Sequence, residues 1–155
     1  MDSRLSPEHE MVVRMVRDFA QKEVAPKAAE LDSTGRFPTE LIKQLSEMGF
    51  MGMMVPEQYG GAGLDTLSYV IAMEEISAGC ASTGVIMSVN NSLYCDPVHA
   101  FGTPEQKARF LDPFASGRKL GCFSLTEPEA GSGAPNHNLP ALTDRAGDPP
   151  PRPQR

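Results

Sequence analysis

The sequence predicts an all-α fold: a helical bundle over residues 1–117, then the first strand of a β-type domain within 118–132, then a disordered tail at 133–155. Three observations carry that prediction. Apolar residues recur at helical spacing through the first 117 positions, and capping residues open the runs. Nine methionines against three tyrosines and no tryptophan fit a core of packed helices better than a β-sandwich. A period near two first occurs at Lys119–Thr126, and periodicity is lost after Ser132, where six of the 14 prolines lie.

The first helix is expected from residue 6 to about 25. Ser6 is placed as N-cap, Pro7 stands where a first-turn proline is tolerated, and Glu8 and Glu10 complement the positive helix end. Val12, Met15, Val16, Phe19 and Val24 form the apolar face, and Pro26 should kink or end the helix, with Lys27–Leu31 as a further turn. Pro38 opens a second helix whose inner face is Leu41, Ile42, Leu45 and Met48, and Gly49 stops it. Phe50–Pro56 is apolar but too short for a helix, and 57–63 is rich in turn residues, so 50–63 reads as an interhelix loop. Asp65 caps a third helix with a stripe of Leu67, Val70, Ile71 and Ile76. Ser82 or Thr83 starts a fourth, carrying Val85, Ile86, Val89 and Leu93. Thr103-Pro-Glu-Gln106 is a capping box ahead of Phe110, Leu111 and Phe114, and Gly117 stops that helix.

Composition narrows the function classes. A net charge of −6 argues against nucleic acid and anionic membranes as partners. No apolar run approaches a membrane span, which points to a soluble protein, and the N-terminus does not read as a signal or transit peptide. Cys80, Cys95 and Cys122 are odd in number and lack a CxxC pair, so they read as buried free thiols of a reducing compartment.

Taken alone, the residues give little catalytic signal. There is no Gly-x-Ser-x-Gly elbow and no P-loop, and Gly61-Ala-Gly63 is followed by Thr66 where a dinucleotide fingerprint needs its third glycine. His9, His99 and His137 have no metal-ligand spacing and read as surface or cap histidines. Glu74 and Glu75 are adjacent on a helix and point about 100° apart, so they do not form a dyad; one is expected in solvent and the other paired with a base on a neighbouring helix. Asn90-Asn91-Ser92 interrupts an apolar helix. It reads either as a helix end bonding its own free carbonyls or as the lining of a ligand pocket.

Five segments carry a resemblance. They are Val55-Pro-Glu-Gln-Tyr-Gly-Gly-Ala-Gly-Leu64, Ala72-Met-Glu-Glu-Ile-Ser77, Cys80–Leu93, Phe101-Gly-Thr-Pro-Glu-Gln-Lys107, and Cys122-Phe-Ser-Leu-Thr-Glu-Pro-Glu-Ala-Gly-Ser132. In this order and spacing, over about residues 3–132, the chain resembles the acyl-CoA dehydrogenases, most closely the short-chain, butyryl-CoA type. The resemblance implies FAD as cofactor and a short-chain acyl-CoA as substrate, oxidised to the trans-2-enoyl-CoA. In the family a glutamate base takes the α-proton, hydride passes to flavin N5, and electrons leave to an electron-transfer flavoprotein. Full-length members are homo-oligomers, and the implied compartment is a bacterial cytoplasm or, alternatively, the mitochondrial matrix.

Carried over by residue, the resemblance places Phe123, Ser124, Leu125, Thr126, Gly131 and Ser132 along the flavin. Thr126 offers its hydroxyl or amide to the pyrimidine end, and Gly131 leaves room for close backbone approach. Ser132 meets both the flavin and the acyl-CoA. Ser88, Asn90 and Leu93 border the acyl pocket. The chain departs from the family after Ser132, where Gly133-Ala-Pro135 replaces the usual Asp-Ala continuation, and no Trp-Ile-Thr-like motif follows. None of its glutamates matches the family's base, so no catalytic residue is assigned, and the isolated chain is expected to be inactive. An uncovered apolar face on the helical domain is also expected. The origin of the tail is read as a frameshift, a misread gene or a splice event. The rival reading is a non-catalytic helical module that binds a partner through that face.

Overall fold

A computed structural model describes residues 4–127 and 131. A compact unit runs to Cys122, and a second unit begins at Phe123. The predictions for Ser132, His137 and the tail at 133–155 fall outside the described residues.

The first helical run is longer than the sequence suggests. Helix α1 (Pro7–Phe19) is capped by Ser6, whose hydroxyl accepts from the His9 backbone N–H. It passes into one π-turn, Ala20–Val24, and continues as α2 (Ala25–Thr34). Pro26 therefore does not end the helix. The Ala25 N–H reaches back five residues to the Ala20 carbonyl, and the widened turn lets the proline sit in the first turn of α2, where its missing donor costs little. The same device recurs downstream. Helix α5 (Ala81–Ser88) widens into a π-turn at Val89–Cys95 and resumes as α6 (Asp96–Phe101), with Pro97 in its first turn and the Asp96 N–H bonded to the Asn91 carbonyl.

Between these two long runs lie α3 (Thr39–Glu47) and α4 (Thr66–Gly79), followed beyond α6 by α7 (Pro104–Phe110) and the short α8 (Asp112–Ala115). Asp65 caps α4, and Thr103 with Gln106 forms the expected capping box on α7. At Gly117 the backbone turns left-handed, with φ of 70°, and a Cβ there would strike Ser46, so the stop admits little besides glycine. The main core joins α1, α3, α4 and α5 around Val16, Val24, Leu41, Leu45, Ile76 and Met87. A smaller cluster of Val55, Cys95, Leu111 and Ala115 seals the far end. Burial pushes the Cys95 thiol up to about 12, so it packs as a small hydrophobe.

The loop at 50–55 is buried almost throughout. Phe50, Met51 and Met53 have essentially no exposure, and the loop doubles back on itself: the Ala62, Gly63 and Leu64 N–H groups donate to the carbonyls of Gly52, Val55 and Met53.

Four expectations need correction. Leu67 and Val70 are 44% and 50% exposed, and the stripe α4 buries is Ser68, Ile71, Ala72 and Ile76. Likewise Val85 and Leu93 face outward at 59% and 43%, while Thr83 and Met87 face the core. Both helices are apolar on most sides, so the pattern finds helix but not its inward direction. Lys119–Thr126 forms no strand; among the described residues only Glu127 makes an isolated bridge. Alternation selects faces, whereas a strand needs a neighbour for its ladder. Of the three cysteines only Cys95 is buried; Cys80 is half-buried and Cys122 is exposed.

Candidate functional site

Two helical faces and one exposed run carry the residues that the sequence nominates. On the face between α4 and α5, Ser88 Oγ lies 3.1 Å from the Tyr69 hydroxyl and 3.4 Å from Ser92 Oγ. Ser92 Oγ in turn donates to the Ser88 carbonyl at 2.8 Å. This hydroxyl chain lies on a half-buried surface, and Leu93, next to Ser92, exposes its side chain. Ser92 belongs to the polar triplet that the sequence offers as a pocket lining, whereas Tyr69 is not nominated by the sequence.

Asn90 does not share that face. It is fully buried, its Nδ2 donating to the carbonyls of Met51 at 2.6 Å and Phe114 at 3.0 Å, and its Oδ1 accepting the Gly121 N–H at 2.8 Å. Asn91 works in parallel. Its Nδ2 donates to Phe50 O and Met87 O, and its Oδ1 accepts from Met53 N–H at 2.8 Å. The pair is thus neither a helix end nor an open lining: the two amides stitch the buried loop, α8 and the 121 segment to the π-turn. A buried amide that meets all its partners in this way is a strong local constraint, because losing one strands several backbone groups.

The remaining titratable groups are structural. Glu75 takes a bidentate pair from Arg17 of α1, the shortest contact being 2.6 Å, while Glu74 stays in solvent, as expected. The carboxylate raises the Arg17 pKa. His9 bridges two helix caps, with Nδ1 2.8 Å from Ser6 Oγ and Nε2 2.9 Å from Asp65 Oδ2. Hydrogen bonds from Ser68, with His9 contributing, hold Asp65 down to about 2. Among the described residues no three His, Cys, Asp or Glu side chains gather as metal ligands.

In the second unit, Phe123 to Thr126 all expose their side chains, and a Cβ placed at Gly131 would meet nothing within 4 Å. The side chain of Thr126 and the Cα of Gly131 are therefore open to a flat, polar ligand, so these residues fit a flavin edge in access and chemistry. Ser132 lies outside the described residues.

The helical unit has the architecture of the N-terminal domain of the acyl-CoA dehydrogenases, a class of flavoprotein oxidoreductases. The sequence profile of the acyl-CoA dehydrogenase N-terminal domain matches residues 6–118. This chain belongs to the acyl-CoA dehydrogenase family. It is 59% identical over 126 residues to the bovine (Bos taurus) mitochondrial short-chain specific acyl-CoA dehydrogenase, covering 81% of this chain and 31% of the relative. Among solved structures, butyryl-CoA dehydrogenase from Megasphaera elsdenii superposes with a TM-score of 0.80 at 39% identity, over 86% of this chain and 36% of that one. A chain from the structure of the electron transferring flavoprotein of Acidaminococcus fermentans gives 0.83 at 43% identity, over 88% and 36%. The chain spans about a third of the length of these relatives.

Proposed function

We propose that this chain serves FAD-dependent α,β-desaturation of a short-chain acyl-CoA in fatty acid β-oxidation, as the helical N-terminal domain of such an enzyme. The observation that carries the reading is the 59% identity, over 126 residues, to a short-chain specific relative. The bound flavin supplies the hydride acceptor. This chain's residues bind and orient. Phe123, Ser124, Leu125, Thr126, Gly131 and Ser132 line the flavin, and Ser132 also meets the acyl-CoA. Ser88 and Leu93 border the acyl group, and Asn90, buried in the turn between them, braces that turn rather than lining the pocket. No glutamate here stands where the family has its base, so the chain alone does not turn over. Electron-transfer flavoprotein is the proposed electron acceptor, a reading supported by the likeness to the Acidaminococcus fermentans chain. A homo-oligomer in a bacterial cytoplasm, or alternatively the mitochondrial matrix, completes the proposal.

A second reading is favoured by one observation. Met11, Met15, Leu67 and Val70 leave an apolar surface on the packed pair α1 and α4, as a partner-binding module would. Domain exchange separates the two. Residues 4–127 are placed in the Megasphaera elsdenii butyryl-CoA dehydrogenase in place of its own segment, and butyryl-CoA-dependent dye reduction is measured. Turnover within about tenfold of the parent supports the dehydrogenase reading. A folded, FAD-loaded chimera without turnover sinks it and leaves the module. The 155-residue chain, given FAD and butyryl-CoA, is expected to reduce no dye.

A further inference from the structure

We infer that Asn90 is a positioning residue for the run Phe123–Thr126, acting through the backbone of Gly121; its bearing on flavin rests on the function proposed above. The amide orientation is fixed by chemistry. Two carbonyls, of Met51 and Phe114, need a donor and one N–H, of Gly121, needs an acceptor, so only Nδ2 toward the carbonyls and Oδ1 toward Gly121 satisfies all three. The site is dry, because Asn90 has no exposed surface. Gly121 is held from its other side as well: a Cβ there would land on the ring of Tyr94. That ring is itself packed on Phe114, with centroids 4.2 Å apart and planes inclined at 35°. Position 121 thus has an amide clamped by Asn90 and a Cα pressed on an aromatic ring, which leaves glycine as the residue that fits.

Gly121 precedes Phe123 by two residues, which an extended chain covers in about 7 Å. Holding Gly121 therefore keeps the start of the run within that reach of the Asn90 amide. Asn91 makes no bond beyond the loop and its own helix, so it serves as an internal control for loss of packing alone.

The test is residue-by-residue amide exchange by NMR on the full chain as N90A, N91A and G121A, with and without added FAD. G121A displaces the clamp while leaving the Asn90 bonds to Met51 and Phe114 in place, so it decides the question even where N90A does not fold. The expected result is that Gly121 exchanges at least about tenfold faster in N90A, and that 122–126 change resonance position in both N90A and G121A. In N91A, Met53 loses protection while Gly121 keeps it. Unchanged resonances at 122–126 in G121A, or equal loss at Gly121 in N91A, would overturn the inference. Added FAD should shift the resonances of 123–126 in the unsubstituted chain, and less so in G121A at equal concentration. No FAD-induced shift in the unsubstituted chain removes the flavin reading and the positioning role with it; the exchange contrast still decides the anchor.

Discussion

The π-turns at Ala20–Val24 and Val89–Cys95 answer one backbone problem in opposite surroundings. Each lies two residues ahead of a proline, and each passes the helix on without a break. The first turns apolar groups inward: Ala20 and Val24 are buried, and Gly79 of α4 comes so close that an added Cβ would lie 3.2 Å from the Ala20 carbonyl. The second turns Asn90 and Asn91 inward, onto a loop that has no regular structure of its own. A widened turn re-aims side chains. Whether it serves packing or bracing depends on what is aimed and at what.

Substitutions can break that contrast. The largest effect is expected from N91A, which strands the Met53 N–H and the Phe50 carbonyl in a dry site. We expect a loss of about 3 kcal/mol or more, read as a lower urea midpoint at an unchanged slope. A loss below about 1 kcal/mol would mean that the loop is held by its apolar residues and that the two turns do not differ in kind. V24A, at the apolar turn, should cost less, about 2 kcal/mol, as the loss of two methyl groups from a fully buried site. Smallest are P26A and P97A, each expected to change stability by under about 1 kcal/mol. Their value is geometric. In P97A the π-turn should persist, because the two asparagines hold it, whereas in P26A the i→i+5 bonds should give way to i→i+4, a change readable from backbone chemical shifts. Identical behaviour would assign both turns to proline alone.

Much of the scaffold was legible in the chain, and the reasons are local. Ser6, Asp65 and Thr103 cap helices because a short polar side chain needs only its own next three residues to do so. Gly117 stops the chain as expected for the same kind of reason. What was not legible depends on distant neighbours. Leu67, Val70, Val85 and Leu93 are as apolar as the residues that α4 and α5 bury, and only the positions of the other helices decide which stripe goes in. The roles of Asn90 and Asn91 depend on a loop some 40 residues earlier in the chain (their partners Met51 and Phe50 precede them by 39 and 41 residues), so the choice between helix end and pocket lining missed the third answer. At the candidate site, the motif nominated Ser88 and Thr126, but the Tyr69–Ser88–Ser92 hydroxyl chain needed the α4–α5 packing to be seen.

The self-closed loop at 50–64 has a practical consequence. Irregular segments are normally where a protease enters a folded protein, since cleavage needs several residues of extended, accessible backbone. Here the methionine-rich stretch is buried and tied to two buried amides, and the carbonyls of Phe50, Met51, Gly52, Met53 and Val55 all accept hydrogen bonds. Limited digestion of the native chain should therefore pass over 50–55, although nothing in its secondary structure marks it as protected.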